Sequence, residues 1–376
     1  MIAVVLFLIS VFASCHQADT IVGSTSSVVT DGQDGEIKGF FLLNEGNYGS
    51  NKATLDYFDY TTGVYHKNIF AERNPMVVSE LGDVGNDIKI WGDRLFAVIN
   101  ASNLVEVMDV ETAEHITAVS IPNCRYIAFC DNYAYVSSYA GAVELDPNAR
   151  KGYVAKIDLD TFEIVAECTV GYQPEELVVV GERLYVANSG GYMSPNYDST
   201  VSVVDLNSFE VVGEIEVAIN LHRMRGDDYG KLWISSRGDY SDTPSMTYTI
   251  DTATDEVTQY PLLSNTNMAL SGDNLYICSS EYSKAYDSYT MSYALVDAES
   301  GRTISRNFVD EAILDKIVVP YGIAVNPYNN EIFITDAGDY VTPGKVYCFD
   351  AEGNYKWDAT TGDVPAHIVF TNDIEL

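Results

Sequence analysis

Six tyrosines each stand a few residues beyond the same kind of segment. They are Tyr48 in "NEGNY", Tyr139 in "SSY", Tyr192 in "NSGGY", Tyr240 in "SRGDY", Tyr282 in "SSEY" and Tyr340 in "DAGDY". Short runs such as "RLYVA" and "KLWI" precede them. A phenol offers a flat apolar face and a hydroxyl handle, and it loses little rotamer entropy on gripping a ligand. The interleaved Gly, Asn, Ser and Asp permit tight turns and supply hydrogen bonds. Arg237, three residues before Tyr240, suits a carboxylate or phosphate. Together these groups suit a flat polar ligand, such as a sugar or a corrinoid macrocycle. The chain has 27 tyrosines, so packing against neighbours competes as the role of each one.

A second group of polar residues opens the segments themselves: Asp87, Arg125, Glu175, His222, Arg223, Asn267, Tyr321 and His367. Within it, Glu175, Asn267 and Asp87 offer the oxygen ligands that calcium takes, and His222 offers a proton carrier. That is the equipment of a calcium-dependent lactonase or lyase. Against this, only five histidines exist, and His16, His66 and His115 lie away from the group. No GxSxG elbow, Walker loop or HExxH motif occurs. The residues therefore favour a non-catalytic ligand binder with no obligatory cofactor. A glycan-binding or protein-interaction platform and a calcium-dependent enzyme stand as alternatives.

The elements that must position these groups form a repeat. Its clearest copy, 174 to 217, reads "PEELVVVGERLYVANSGGYMSPNYDSTVSVVDLNSFEVVGEIEV" and parses as four short strands joined by turns. Further copies begin near 86, 125, 222, 267 and 321, and an incomplete one spans 39 to 70. The third strand of each copy ends in Asp: Asp59, Asp109, Asp158, Asp205, Asp251, Asp297 and Asp350. Such an Asp hydrogen-bonds the backbone two residues on and seeds a turn, so these carboxylates are assigned to structure. Four strands at a period of roughly 40 to 50 residues predict an all-β, seven-bladed β-propeller. The copy at 39 to 70 lacks its first strand, which "AHIVFT" at 366 to 371 is expected to supply. In this architecture the loops that carry the tyrosines emerge on one face.

"LYVAN" followed by "TVSVVDL" resembles the YVTN/YncE-type seven-bladed propellers, with Ala187 in place of the family's Thr. "LNEGNYGSNKATLDYFD" is similar to the surface propeller lipoproteins of gut Bacteroidetes. One branch of those binds cobalamin and hands it to a TonB-dependent outer-membrane transporter. The resemblance implies a ligand-binding partner of such a transporter, held on the outer membrane.

The leader agrees with that. "MIAVVLFLISVFAS" is too short to span a bilayer, which takes ~20 residues, and fits a signal peptide over 1–14. "FASC" resembles a lipoprotein cleavage box, which makes Cys15 the lipidated residue. An ordinary secretory signal is the alternative. Residues 15–36 read as a flexible tether, and 37–376 as the propeller. The remaining five cysteines form no CxxC pair, which argues against a zinc site. A formal charge of −34 excludes nucleic acid as a partner, and it fits either a solvated acidic surface or calcium binding.

Overall fold

The Val-, Ile- and Tyr-rich runs pair with their sequence neighbours into seven antiparallel sheets, the blades of a β-propeller. The computed structural model describes residues 23–371 apart from 34, 78–79, 143–144 and 284–287. Cys15 and the leader lie outside the described residues. First strands of neighbouring blades contact one another around the ring, so those strands line its centre. They are Gly85–Trp91 in blade 2, Cys124–Cys130 in blade 3, Pro174–Val180 in blade 4 and Leu221–Gly226 in blade 5. Asn267–Ser271 opens blade 6 and Pro320–Val325 opens blade 7.

Blade 1 is shared by both chain ends, as expected. Pro365–Phe370 pairs with Gly39–Asn44, bringing Phe370 opposite Phe40 and His367 opposite Leu43. Blade 1 also departs from expectation. Thr25–Val28, read as part of the tether, pairs with Val64–Lys67 as a fifth, outermost strand. The Ser/Thr-rich composition had suggested a linker, but "TSSV" needs no buried face to add to an open sheet edge, and all four residues are exposed.

The core is distributed between blades. Blades 7 and 1 share Phe40, Phe58, Phe333, Trp357 and Phe370, and comparable clusters fill every other inter-blade seam, as with Trp233, Leu275 and Ile277 between blades 5 and 6. Strands buried on both faces explain the near-continuous hydrophobic runs. The third-strand Asp residues do seed the outer turns. Asp205, for example, accepts from Asn207 N at 3.1 Å and Ser208 N at 2.8 Å. The backbone of Phe209, in the left-handed region, then bonds back to Asp205 O at 2.8 Å.

Candidate functional site

Consecutive residues of a strand normally face opposite sides of the sheet. At the mouth of the central channel they do not, because six of the seven first strands carry a register shift at their start. The shifts lie between Gly85 and Asp87, Pro174 and Leu177, Leu221 and Met224, and Pro320 and Ile323, with counterparts in blades 3 and 1. A bulge inserts one residue and re-aims its neighbours. It brings both members of Arg125–Tyr126 and of His222–Arg223 to the channel mouth, where Tyr126, His222 and Arg223 form one polar cluster and Arg125 joins another.

Tyr126 plugs the channel. It is 2% exposed, and its ring meets those of His222 and His367, 6.0 and 6.4 Å between centroids. Arg223 Nη1 donates to its hydroxyl at 3.1 Å, which leaves the hydroxyl proton for His222 Nε2 at 2.9 Å. Burial, then Arg237, Arg223 and Arg125, push the His222 pKa well below the ordinary value, so the imidazole is neutral. This network assigns the remaining ring proton to Nδ1, which is buried and has no protein partner. Across the plug, Glu45 accepts from Tyr321 Oη at 2.7 Å. His367 Nε2 lies 3.4 Å from Glu45, within ion-pair range yet not aligned as a hydrogen bond.

Glu175 organises a second cluster. It is fully buried and accepts from Arg125 Nε and Nη2 at 3.2 and 3.1 Å. Arg237 Nη1 at 3.1 Å and Tyr139 Oη at 2.5 Å complete the set. Burial alone would raise this carboxyl; Arg125 and Arg237 outweigh it and hold the pKa below the usual range. The Arg125 guanidinium also lies 4.7 Å from the Tyr139 ring centroid, and Tyr139 meets Tyr192 edge-on at 6.2 Å. Tyr139 and Tyr192 thus support the arginines and do not line the cavity.

The cavity lies off-centre, over blades 5, 6 and 7, with a volume of about 790 Å³. His222, Arg223 and Arg237 line it together with Tyr240, Tyr282, Tyr289, Tyr321 and Tyr340. Blade 6 raises one wall. Its second and third strands, Asn274–Ser283 and Ser288–Asp297, are ten residues each and pair throughout, with Tyr282 opposite Tyr289. From there the rings form a chain: Tyr282 to Tyr289 at 5.5 Å, Tyr289 to Tyr340 at 6.4 Å, and Tyr340 to Tyr321 at 5.8 Å.

Tyr240 and Tyr340 are set by matching loops. In "RGDYSDT" and "AGDYVTP" the Gly and the Tyr both have positive φ, 64° and 58° at Gly238 and Tyr240, and 56° and 63° at Gly338 and Tyr340. Asp239 accepts from the backbone N of Ser241, Asp242 and Thr243, and Asp339 from Val341 and Thr342. A left-handed tyrosine is strained, and these Asp anchors hold each one in that state. The recurring Gly-Asp-Tyr is therefore a device for fixing a tyrosine beside the cavity.

The remaining expected residues are placed elsewhere. Tyr48 is 69% exposed and outside the cavity lining. Asn267 donates to Tyr321 O at 2.9 Å and accepts from Met268 N, which ties blade 6 to blade 7. Asp87 accepts from Ile88 N and Ile127 N, which ties blade 2 to blade 3. The oxygens of Asp87, Glu175 and Asn267, grouped above as calcium ligands, thus have separate protein partners. Among the described residues no His/Cys/Asp/Glu group is arranged to hold a metal. Sequence reasoning missed Tyr126, Tyr289 and Glu45. The alternation of Tyr282, Tyr289 and Tyr293 about a long polar hairpin was the available signal for Tyr289. The cross-channel contacts of Tyr126 left none.

Solved structures share the fold. A hydrazine synthase of Kuenenia stuttgartiensis is 16% identical, with 71% of this chain and 77% of that one covered and a TM-score of 0.55. A quinonprotein alcohol dehydrogenase-like protein of Bacteroides thetaiotaomicron VPI-5482 is 13% identical, with 89% and 79% covered and a TM-score of 0.57. At such identities the likeness is one of fold alone. No curated protein sequence matches the chain. Residues 38–371, which take in all seven blades, match the model described as "Domain of unknown function (DUF5074)", and the chain belongs to that family.

Proposed function

We propose that this protein captures a small, flat, polar molecule in the cavity over blades 5 to 7 and does not transform it. One observation carries the reading: a continuous chain of four tyrosine rings, with Tyr240 beside it, lines the same cavity as two arginines. Such a chain stacks a flat ligand through apolar area, and hydroxyls and guanidinium groups orient it. Two carboxylates that acid–base chemistry could use are engaged in holding the site. Glu175 is clamped by two arginines, and Glu281 accepts from Ser245 N at 2.6 Å and Ser264 Oγ at 3.2 Å.

Of the ligands weighed, a corrinoid such as cobalamin answers this arrangement best, since it joins a flat macrocycle to a phosphodiester. The proposal extends to place: a lipid on Cys15 holds the propeller at the outer membrane, and the cavity face delivers its ligand to a TonB-dependent transporter. Calorimetric titration with cyanocobalamin, haemin and neutral oligosaccharides tests the binding. We expect one class to bind without turnover, and Tyr282→Ala with Tyr289→Ala to weaken it at least about tenfold, as for loss of two aromatic contacts. Chemical conversion of the ligand, or affinity indifferent to both tyrosines, defeats the reading.

A further inference from the structure

Three arginines gather at the channel mouth of a chain whose formal charge is −34 and which has 21 Lys and Arg in all. Their partners do not use all their donors. Arg125 is occupied by Glu175 and the Tyr139 ring. Arg237 gives Nη1 to Glu175, and its side chain stays 24% exposed. Arg223 gives Nη1 to Tyr126, while its Nε is buried without a protein partner. His222 Nδ1 is likewise buried and unpartnered, with the residue 7% exposed.

A buried donor without an acceptor is costly enough that folded proteins rarely retain one. Here two lie on adjacent residues, and both residues line the cavity together with Arg237. Of the nearby carboxylates, Glu175 is held by arginines, Glu45 by Tyr321 and Glu281 by Ser245 and Ser264, while the exposed Asp242 lines the cavity rim. The floor thus presents the positive charge of Arg237, part of whose guanidinium Glu175 does not use.

We infer that the cavity floor is an oxyanion subsite, where the partly exposed Arg237 guanidinium receives a carboxylate or phosphate borne by the ligand, with Arg223 and His222 beside it. This deepens the proposed function and rests on that cavity being the ligand site. The matched probes are phenyl phosphate, benzoate and neutral benzyl alcohol, titrated into the full chain at constant ionic strength in chloride. We expect saturable binding of at least one anion, roughly tenfold or more tighter than the alcohol, the size of one charge-assisted hydrogen bond. The tighter anion assigns phosphate or carboxylate. Arg237→Gln should erase the preference, and Arg302→Gln, an exposed outer-turn control, should keep it.

Should Arg237→Gln not fold, the His222 ring ¹H–¹⁵N resonances of the wild-type chain give a second readout, with phenyl phosphate expected to shift them saturably. Equal binding of all three probes, or a preference that survives Arg237→Gln, overturns the subsite. Equal binding that is lost in Tyr282→Ala leaves the ligand cavity standing. Saturation by neither anion overturns the subsite even where a corrinoid binds.

Discussion

Replacing Glu175 by Gln separates what holds the channel mouth together from what the mouth binds. The carboxylate is fully buried and faces two guanidinium groups and a phenol. The amide keeps the shape and one acceptor, but it removes the charge that compensates Arg125 and Arg237. Breaking a buried ion pair from one side costs about 3–5 kcal/mol, because the other charge stays buried. With an unfolding entropy of about 2.1 cal/mol/K per residue over the ring, each kcal/mol moves Tm by roughly 1.4 °C, so a loss of roughly 4–7 °C is expected. The same change releases Arg237 from its partner. A bound oxyanion then supplies the missing negative charge, so phenyl phosphate should raise the Tm of the variant more than that of the wild type. Thermal unfolding by circular dichroism, with and without about 10 mM of the anion, measures both effects. A Tm within about 1 °C of wild type refutes the assigned role of Glu175 in compensating the arginines. A lowered Tm that the anion does not restore preferentially means that Arg237 is bound to Glu175 for packing alone.

Further outcomes follow from the geometry. His222 is held neutral, its folded pKa below the unfolded value of 6.5; its contribution is full above that pH and is lost as pH falls, by up to about 1.4 kcal/mol per unit. Urea unfolding at pH 7, 6 and 5 should show that slope, and His222→Gln should flatten it. Glu176, with its carboxyl pulled to about 2 by Arg225 and Arg223 against burial, adds a second loss between about pH 4.5 and 2, of order 3 kcal/mol; Asp56, raised by burial, acts with the opposite sign. Phe370→Ala removes the ring that packs on Phe40 and Phe333 at 5.9 and 5.8 Å, and should cost about 3–5 kcal/mol in chemical denaturation. Deleting 25–28 should leave the fold intact and expose the Val64–Lys67 edge, read as faster amide exchange there, since all four deleted residues are exposed.

The ring was legible because its signals are local. Each outer turn announces itself by an Asp whose carboxylate bonds the next residues, and each blade by hairpins between sequence neighbours. Closure was legible because the first copy lacked a strand and the last residues had one to give. The site was legible only in part. Six tyrosines look equivalent by spacing, yet Tyr139 turns inward to Glu175, Tyr48 faces solvent, and Tyr240, Tyr282 and Tyr340 reach the cavity. What sorts them is the charge of residues on the next blade and the length of neighbouring loops, and neither is a property of the segment that carries the tyrosine. Tyr126 shows the same limit, since its partners His222 and His367 sit 96 and 241 positions further along.

A perfect repeat would place a shallow, symmetric depression at the channel mouth, and Tyr126 fills that space. The cavity instead lies where the repeat breaks. Blade 6 is the one blade whose first strand starts in register, Asn267 opposite Cys278, without the shift found in the others. It also extends its central hairpin to ten residues a side and so stands Tyr282 and Tyr289 above the face. Blades 5 and 7, on either side, carry the paired Gly-Asp-Tyr loops that hold Tyr240 and Tyr340 in the left-handed conformation. The ring provides rigidity, and the irregular blade provides the wall. Shortening the blade 6 hairpin should therefore abolish ligand binding while sparing the fold, because the extension beyond Ser279 supports no inter-blade core residue.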